Sequence, residues 1–170
     1  MQRRHFLMNA GAAGLAGLHL PHAMAQALPN GPIKLIVGFP PGGGADALAR
    51  VVAQKLGTLW GQQVIVDNRP GASSTLAAEF VAQQPGDGTV LFLSTINSHA
   101  LAPAVQPKLR YHAERDFAPV ALLGLTPNLL ITSASSAVKS LKEVVALCKA
   151  QPGKVSFGSA GPGTIQHFAI

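Results

Sequence analysis

A short apolar run leads through a cluster of glycines into a helical pattern. The run covers Ile33 to Phe39, and the glycines are Gly42, Gly43 and Gly44. A chain that passes from a strand through glycines into a helix leaves unpaired backbone N–H groups at the helix start. Together with the positive end of the helix dipole, these groups form an anion site. The sequence therefore predicts that this turn binds a negatively charged group, either a nucleotide phosphate or a small carboxylate.

The same order of elements recurs near the end of the sequence. Val155 to Phe157 predicts a short strand, Gly158 to Gly163 is a second glycine-rich loop, and Thr164 begins a helical turn. A polar connector at residues 133–140 separates the two loops, and we place a lobe boundary there. Two anion-binding loops on two lobes predict a cleft, because open α/β sheets bind ligands outside the carboxyl ends of their strands.

The elements between the two loops alternate. Strand patterns and helical patterns follow one another, and Ser73 or Ser74 is a candidate cap for the second helix. The predicted strands are 33–39, 63–67, 89–94, 120–125 and 128–132, and the predicted helices are 45–59, 73–83 and 141–149, with an irregular segment at 94–115. Strands separated by helices of this size are typical of βαβ units with a parallel sheet. The predicted fold class is therefore α/β.

The first 25 residues have the pattern of a secretory signal peptide. Arg3 and Arg4 form a basic start, Ala10 to Leu20 is an apolar middle, and Ala23-Met24-Ala25 is a small-residue exit. The stretch is too short and too rich in glycine and alanine for a membrane span. Arg3-Arg4-His5-Phe6-Leu7 also resembles the twin-arginine export motif, so both export routes stay open. The mature chain is expected to begin near Gln26, in a bacterial periplasm.

Composition limits the classes of function. Without Arg3 and Arg4, 11 basic residues face 7 acidic ones, a net charge of about +4 carried by scattered side chains, which is not the pattern of a nucleic-acid-binding surface. Cys148 is the single cysteine, so no intrachain disulfide is possible, and its helical surroundings predict a buried, inert thiol. No spacing suggests a metal site or a catalytic triad, so we predict no catalytic residue, metal or cofactor.

The glycine turn allows two interpretations. Gly42 to Ala47 fits the dinucleotide pattern G-x-G-x-x-A after a strand, and Asp67 ends the second predicted strand, where an acid could hold a ribose. Against a nucleotide, Pro40-Pro41 stiffens a turn that should be tight, and no Gly-Lys-Ser/Thr follows. The second interpretation is a receptor that binds a carboxylate through backbone amides.

Several motifs favour the receptor, because they resemble those of one family in the family's order. The opening motif is Phe39-Pro40-Pro41-Gly42-Gly43-Gly44-Ala45-Asp46 with Ala49-Arg50, and the later matches are Val66 to Ala72, Asp87-Gly88, Asp116 to Val120, Thr126-Pro127-Asn128, Lys154 to Gly161 and His167. The sequence thereby resembles the Bug-type receptors, the extracytoplasmic solute-binding proteins of tripartite tricarboxylate transporters. The resemblance covers essentially all of the expected mature chain.

The resemblance implies a periplasmic-binding-protein-like fold of type II. It implies a first α/β lobe at residues 26–132, a hinge at 133–140 and the beginning of a second lobe at 141–170. It also implies a non-enzymatic receptor that binds a small carboxylate, such as a di- or tricarboxylate or an acidic amino acid. Such a receptor passes its ligand to the membrane components of a tripartite tricarboxylate transporter or to a sensor kinase, and is not itself embedded in the membrane.

The candidate ligand-binding residues are backbone donors and neutral side chains from both loops and from the end of the third strand. They are Gly43, Gly44, Ala45, Asp46, Thr95, Asn97, Ser98, Asn128, Ser159, Ala160, Gly161, Gly163, Thr164 and His167. Asp46 cannot itself favour an anion, and we expect its main role to be bonding N–H groups of the first helical turn. For Thr95, Asn97 and Ser98 a local turn network is the alternative to ligand contact.

The sequence departs from the family in two respects. It has about half the usual length, and Ile165-Gln166 stands where the family usually has small polar residues. We therefore expect a truncated product or fragment of marginal stability, for which a non-binding remnant is a further alternative. A periplasmic dinucleotide-binding oxidoreductase remains the alternative enzyme.

Overall fold

The structure, a computed structural model, describes residues 29–170. The predicted signal peptide lies outside these residues. Three parallel strands form one sheet: β1 (Ile33–Val37), β2 (Val64–Asn68) and β3 (Val90–Leu93), in the order β2-β1-β3. In this register Leu35 lies opposite Val66 and Leu91. The parallel α/β sheet predicted from the sequence is confirmed.

Helices connect and follow the strands. They are α1 (Gly44–Trp60), α2 (Thr75–Ala82), α3 (Ala102–Val105), α4 (Leu141–Ala150) and α5 (Ile165–Phe168). A short 3₁₀ turn, Ala72–Ser74, precedes α2, and a π-helical turn, Asn97–Leu101, precedes α3. The strand order β2-β1-β3 requires one crossover toward each side of β1, and because such crossovers are right-handed as a rule, α1 and α2 are expected on opposite faces of the sheet.

Apolar side chains of the central strand fill both layers. Leu35 and Val37 pack with Ala49 and Ala53 of α1 and with Leu93, while Ile36 on the other face is fully buried. Alanine on α1 and α2 lets each helix approach the sheet closely. A strand covered on both faces needs mostly apolar residues rather than alternation, and four of the five residues of β1 are apolar and buried, with Lys34 exposed.

Three predicted strands are wrong. The segments 120–125, 128–132 and 155–157 are irregular, and their large apolar side chains are solvent-exposed, with Val120 at 85% and Ile131 at 84%. A short apolar run forms a strand only when a neighbouring strand pairs with it, and within residues 29–170 none does. The helix α4 has the predicted position and a Ser140–Glu143 capping box, but no buried residue. Cys148 is therefore half-buried, not buried as predicted.

The segment predicted as irregular after β3 is instead partly helical, from Asn97 to Val105. A cluster of rings holds it against the chain that follows. His99 lies edge-on to Phe117 with ring centroids 4.6 Å apart, and Phe92 and Tyr111 lie 5.7 and 6.3 Å from His99. The Tyr111 hydroxyl donates to the Ser98 carbonyl oxygen. This aromatic cluster (Phe92, His99, Tyr111, Phe117) anchors residues 106–117, which have no regular structure of their own.

A close approach at Gly38 fixes the turn before α2. A Cβ built on Gly38 would lie 1.8 Å from Ser74 Oγ and 2.9 Å from Ser74 Cα, so only glycine fits. Ser74 is almost fully buried there, and its side chain makes no capping bond, contrary to the expected cap. The turn packs against the end of β1 through this contact.

We predict that Gly38→Ala lowers the free energy of unfolding by at least about 2 kcal/mol, because the added methyl overlaps backbone atoms that cannot move alone. Urea unfolding followed by circular dichroism measures the effect. The matched control is Gly44→Ala, since nothing lies within 4 Å of a Cβ at Gly44. Alanine in a helix should stabilise by about 0.5–1 kcal/mol. Equal effects of the two substitutions would show that the contact with Ser74 is unimportant.

Candidate functional site

The loops that follow all three strands lie at one edge of the sheet. Because the strands are parallel, the carboxyl ends of β1, β2 and β3 meet there. The glycine turn follows β1, the turn Ala72–Ser74 follows β2, and the turn Asn97–Leu101 follows β3. This carboxyl edge is the expected ligand position in open α/β sheets.

The glycine turn presents backbone rather than side chains. Gly42 has a φ of 85°, and Gly43, extended at φ −81° and ψ 171°, is the N-cap of α1 without a side-chain cap. Gly42, Gly43 and Gly44 are exposed, and Ala45 is half-buried. The first N–H groups of a helix have no intrahelical acceptor, so those of Gly43, Gly44 and Ala45 are donors at the start of a 17-residue helix.

Asp46 holds this turn in place. Its carboxylate accepts hydrogen bonds from the Gly42 N–H (2.9 Å), Arg50 Nε (2.9 Å) and Asn68 Nδ2 (3.0 Å), and Asp46 is only 3% exposed. The bond from Arg50, followed by that from Gly42, keeps the pKa of Asp46 well below its ordinary value. The geometry matches the expected bonding of first-turn N–H groups. A direct ligand contact by Asp46 stays a prediction.

The arm after β3 combines local and long-range bonds. Ser98 Oγ donates to the Thr95 carbonyl oxygen at 3.2 Å, which is the local network considered as an alternative to ligand contact. Thr95 Oγ1 is buried without a partner among the described residues. Asn97 is buried, and its Oδ1 accepts from the Ile165 N–H at 3.0 Å. Asn97 therefore connects the end of β3 to the second glycine loop.

The second glycine loop docks on the turn after β2 as well. Ser73 Oγ donates to the Pro162 carbonyl oxygen at 2.6 Å, and a Cβ at Gly163 would lie 3.1 Å from Ser73 Oγ. Thr164 is buried beside this contact and caps α5 by accepting from the His167 N–H. The structure thus brings the second loop to the same edge as Thr95, Asn97 and Ser98.

The amides of the second loop are already engaged. The N–H groups of Gly161, Gly163 and Thr164 donate to Ser159 Oγ (3.3 Å), His167 Nδ1 (3.4 Å) and the Gly161 carbonyl oxygen (3.3 Å). The expectation that this loop offers free donors therefore does not hold for these three groups. These bonds are long, and a carboxylate would form shorter, charge-assisted ones in exchange.

The remaining candidates lie at the margin. Asn128 Oδ1 accepts from Gln166 Nε2 at 2.9 Å, and Asn128, Ala160 and His167 are exposed. Gln166, noted only as a departure from the family, thus links Asn128 to α5. Ligand contact by Ser159, Ala160, Asn128 and His167 stays a prediction.

Sequence reasoning missed Ser73 and Ser74 as residues of this edge. Ala72, Ser73 and Ser74 have φ values of 45°, 56° and 75°, a left-handed conformation in three successive residues that are not glycine. Such strain costs about 1–3 kcal/mol a residue and clusters at functional sites. Two serines before a helical pattern are typical of a cap, so the only available signal was their position after Pro70-Gly71.

Metal-binding clusters and cavities are the other places where chemistry could occur. Within residues 29–170, no group of three or more His, Cys, Asp or Glu side chains could hold a metal ion. A cavity of about 430 Å³ lies beside α3, lined by His99, Pro103, Gln106, Pro107, Leu109, His112, Ala113 and Glu114. Of these residues only His99 adjoins the carboxyl edge, through its neighbour Ser98.

Comparison with known proteins gives one consistent family. The model of the tripartite tricarboxylate transporter family receptor matches residues 48–170. Protein BugT of Bordetella pertussis is 37% identical over 154 residues, which are 90% of this chain and 47% of BugT. A UPF0065 protein of Pseudomonas sp. strain P51 is 39% identical over 146 residues, 85% of this chain and 43% of that protein. The chain spans about half the length of these relatives.

Solved structures show the same fold. R. palustris Rpa4515 with adipate is 33% identical, with a TM-score of 0.74, over 80% of this chain and 46% of that one. The periplasmic binding protein BugD has 26% identity and a TM-score of 0.64, over 82% and 46%. MatC of Rhodopseudomonas palustris with bound malate has 38% identity and a TM-score of 0.54, over 56% and 32%. The predicted periplasmic-binding-protein-like fold is confirmed.

We predict that Asp46→Asn loosens the glycine turn, because an amide NH₂ then faces either both the Gly42 N–H and Arg50 Nε, or Asn68 Nδ2. The melting temperature at pH 7 should fall. The folded-state pKa of Asp46 lies below the unfolded value of 3.8, so its stabilisation is complete above about pH 4 and is lost as the pH falls below it. The difference in melting temperature should therefore shrink below pH 4. A difference that is constant from pH 7 to pH 3 would contradict this role.

Proposed function

Because the chain belongs to the tripartite tricarboxylate transporter receptor family, we propose that it binds a small carboxylate at the carboxyl edge of its sheet. The ligand class comprises di- and tricarboxylates, acidic amino acids and related organic acids. The protein acts as a receptor and does no chemistry on the ligand.

The observation that carries the proposal is the exposed start of α1. Gly43 and Gly44 are exposed and Ala45 is half-buried at the positive end of a long helix, and no side chain caps their N–H groups. Asp46, whose charge would oppose an anion, is turned inward and neutralised by Arg50. A carboxylate oxygen is a strong acceptor for such backbone donors, and glycine allows close approach.

Two neighbouring features complete the proposed site. The arm Thr95–Ser98 supplies neutral polar groups, and the second loop lies against it through Asn97 and Ser73. Relatives solved with adipate and with malate support a dicarboxylate-sized ligand. Sites built mainly from backbone amides distinguish acids by shape, so we leave the individual acid open.

We further propose a periplasmic location and transfer of the ligand to membrane components of a tripartite tricarboxylate transporter or to a sensor kinase. The structural relative BugD is a periplasmic binding protein. In residues 29–170, no helix has the length and apolar character that crossing a bilayer requires. The division into a first lobe to residue 132, a hinge at 133–140 and a second lobe from 141 belongs to the same proposal.

The contacts of Asp67 do not favour the dinucleotide interpretation. Asp67, the residue suggested for a ribose contact, accepts from Arg69 Nε at 3.0 Å, and Arg69 in turn lies over the Phe80 ring at 3.6 Å. These contacts give Asp67 a structural role beside α2. The remaining alternative, a remnant that binds nothing, is decided by titration with carboxylates.

The test removes one backbone donor without changing the turn. Gly44 is the first residue of α1, where proline is well tolerated, and the extended Gly43 suits a residue before proline. Gly44→Pro deletes the N–H, whereas Gly44→Ala keeps it. We predict that adipate or malate binds Gly44→Pro about tenfold more weakly, since a hydrogen bond to a charged group contributes about 1.5–3 kcal/mol.

Isothermal titration calorimetry gives the dissociation constants, and unfolding curves of both variants verify the fold. Gly44→Ala, which keeps the N–H, should bind more tightly than Gly44→Pro, and the comparison of the two variants cancels the effect of an added side chain on ligand approach. A panel of dicarboxylates, tricarboxylates and acidic amino acids that produces no heat and no thermal stabilisation of this chain would overturn the binding proposal. Equal affinity of the proline and alanine variants would remove Gly44 from the site.

A further inference from the structure

His99 is a titratable side chain that packs directly against the arm after β3. It follows Ser98 in the chain, its ring lies within the aromatic cluster, and its Nδ1 lies 3.0 Å from Ser98 Oγ. The backbone N–H of His99 also donates to the Thr95 carbonyl oxygen at 3.1 Å. His99 therefore contacts both ends of the turn that carries Asn97, with its side chain at Ser98 and with its backbone N–H at Thr95.

We propose that His99 is a positioning residue for the carboxyl edge. Its uncharged imidazole packs with Phe92, Tyr111 and Phe117 and holds the Thr95–Ser98 turn. Held in this way, Asn97 can accept from the Ile165 N–H. Through that bond His99 fixes the second glycine loop at the end of β3. The inference goes beyond the proposed function, because the arrangement exists whether or not a carboxylate binds.

The contacts around the ring explain why its charge matters. Three aromatic rings with centroids 4.6 to 6.3 Å from the imidazole pack beside it, and His99 is half-buried. Burial lowers the pKa of His99 below its ordinary 6.5, because the charged form loses solvation there. The neutral ring suits these apolar neighbours, whereas a charged ring favours an arrangement with more water around it, at the expense of the ring cluster or the turn.

Other ionisable groups face this region from each packed element. Burial, followed by the charge of Glu79, raises the pKa of Tyr111 to about 12, so Tyr111 stays neutral. His112 and Glu114 line the cavity on the open side of His99. His167 lies two residues after Ile165 and accepts from the Gly163 N–H. A test must therefore separate His99 from His112 and His167.

The direction of the pH effect follows from the lowered pKa. A histidine with a folded-state pKa below its unfolded value favours the folded arrangement above about pH 6.5 and opposes it as the pH falls. The link between Asn97 and Ile165 should therefore weaken as the pH falls below 6.5.

The experiment follows the Ile165 amide by ¹⁵N–¹H NMR from pH 7.5 to pH 5, without ligand, in the wild type, His99→Phe and His112→Gln. Phenylalanine keeps the aromatic packing but cannot be protonated. We expect the Ile165 and Asn97 side-chain amide signals to shift with a midpoint below pH 6.5 in the wild type and in His112→Gln. That component should be absent from His99→Phe, and any contribution of His167 is common to all three proteins.

A second measurement rests on the proposed function. On acidification, the dissociation constant for adipate should rise more steeply in the wild type than in His99→Phe. The ratio of the two constants should change by up to about tenfold for each pH unit. The comparison cancels the protonation of adipate itself. If adipate bound with the same pH profile to both proteins, or the Ile165 signal titrated identically in both, the proposal would be wrong. Absence of adipate binding would contradict the proposed function alone, since the NMR experiment needs no ligand.

His99→Gln serves as the second variant, since its neutral amide can still bond with Ser98. If His99→Phe does not fold, His99→Gln should fold and show the same loss of the titrating component. Failure of both variants to fold would make His99 a residue of general stability and would overturn its role as a positioning residue.

Discussion

The arrangement of the proposed site depends on the hydrogen bonds that the Asp46 carboxylate accepts. The carboxylate joins three separate pieces of chain: the glycine turn through Gly42, helix α1 through Arg50 and the end of β2 through Asn68. With Asp46 turned inward, the next N–H groups of the helix start remain free on the outside. A negatively charged side chain thereby helps to build the proposed anion site, because its own charge is satisfied within the protein.

A second constraint is the close approach of β1 and the turn before α2. Gly38 leaves room for Ser74, and the left-handed residues Ala72 to Ser74 bring Ser73 to the loop that contains Pro162. Asn97 makes the equivalent connection from the end of β3. All three strand ends thus contribute to one edge, and the loop before α5 is held there by side chains from two of them.

The sequence predicted the part of this fold that depends on local pattern. The largely apolar β1, the glycine turn and the one-face spacing of α1 require few long-range contacts to form, so the predicted bounds of β1 and α1 agree with the observed ones within about two residues. The strands predicted at 120–125 and 128–132 failed because strand formation depends on a partner, which the pattern of one segment cannot specify. The left-handed turn at Ser73 was missed for a related reason: a close approach to Gly38, distant in sequence, determines it.

For the proposed site, the sequence indicated the backbone donors at the start of α1 but not the contacts between distant residues. Backbone donors at Gly43 to Ala45 follow from helix geometry, whereas the pairing of Asn97 with Ile165 joins residues 68 positions apart, and no spacing rule indicates it. The second loop illustrates the limit, since its glycines predicted free donors but three of its N–H groups have internal acceptors.

The most direct test of the account is a crystal structure of this chain with adipate. We predict one carboxylate with an oxygen about 2.7–3.1 Å from the backbone nitrogens of Gly43 or Gly44, at the edge shared with Thr95 and Asn97. Adipate bound instead in the cavity beside α3, or at the carboxyl edge without contact to those nitrogens, would contradict it.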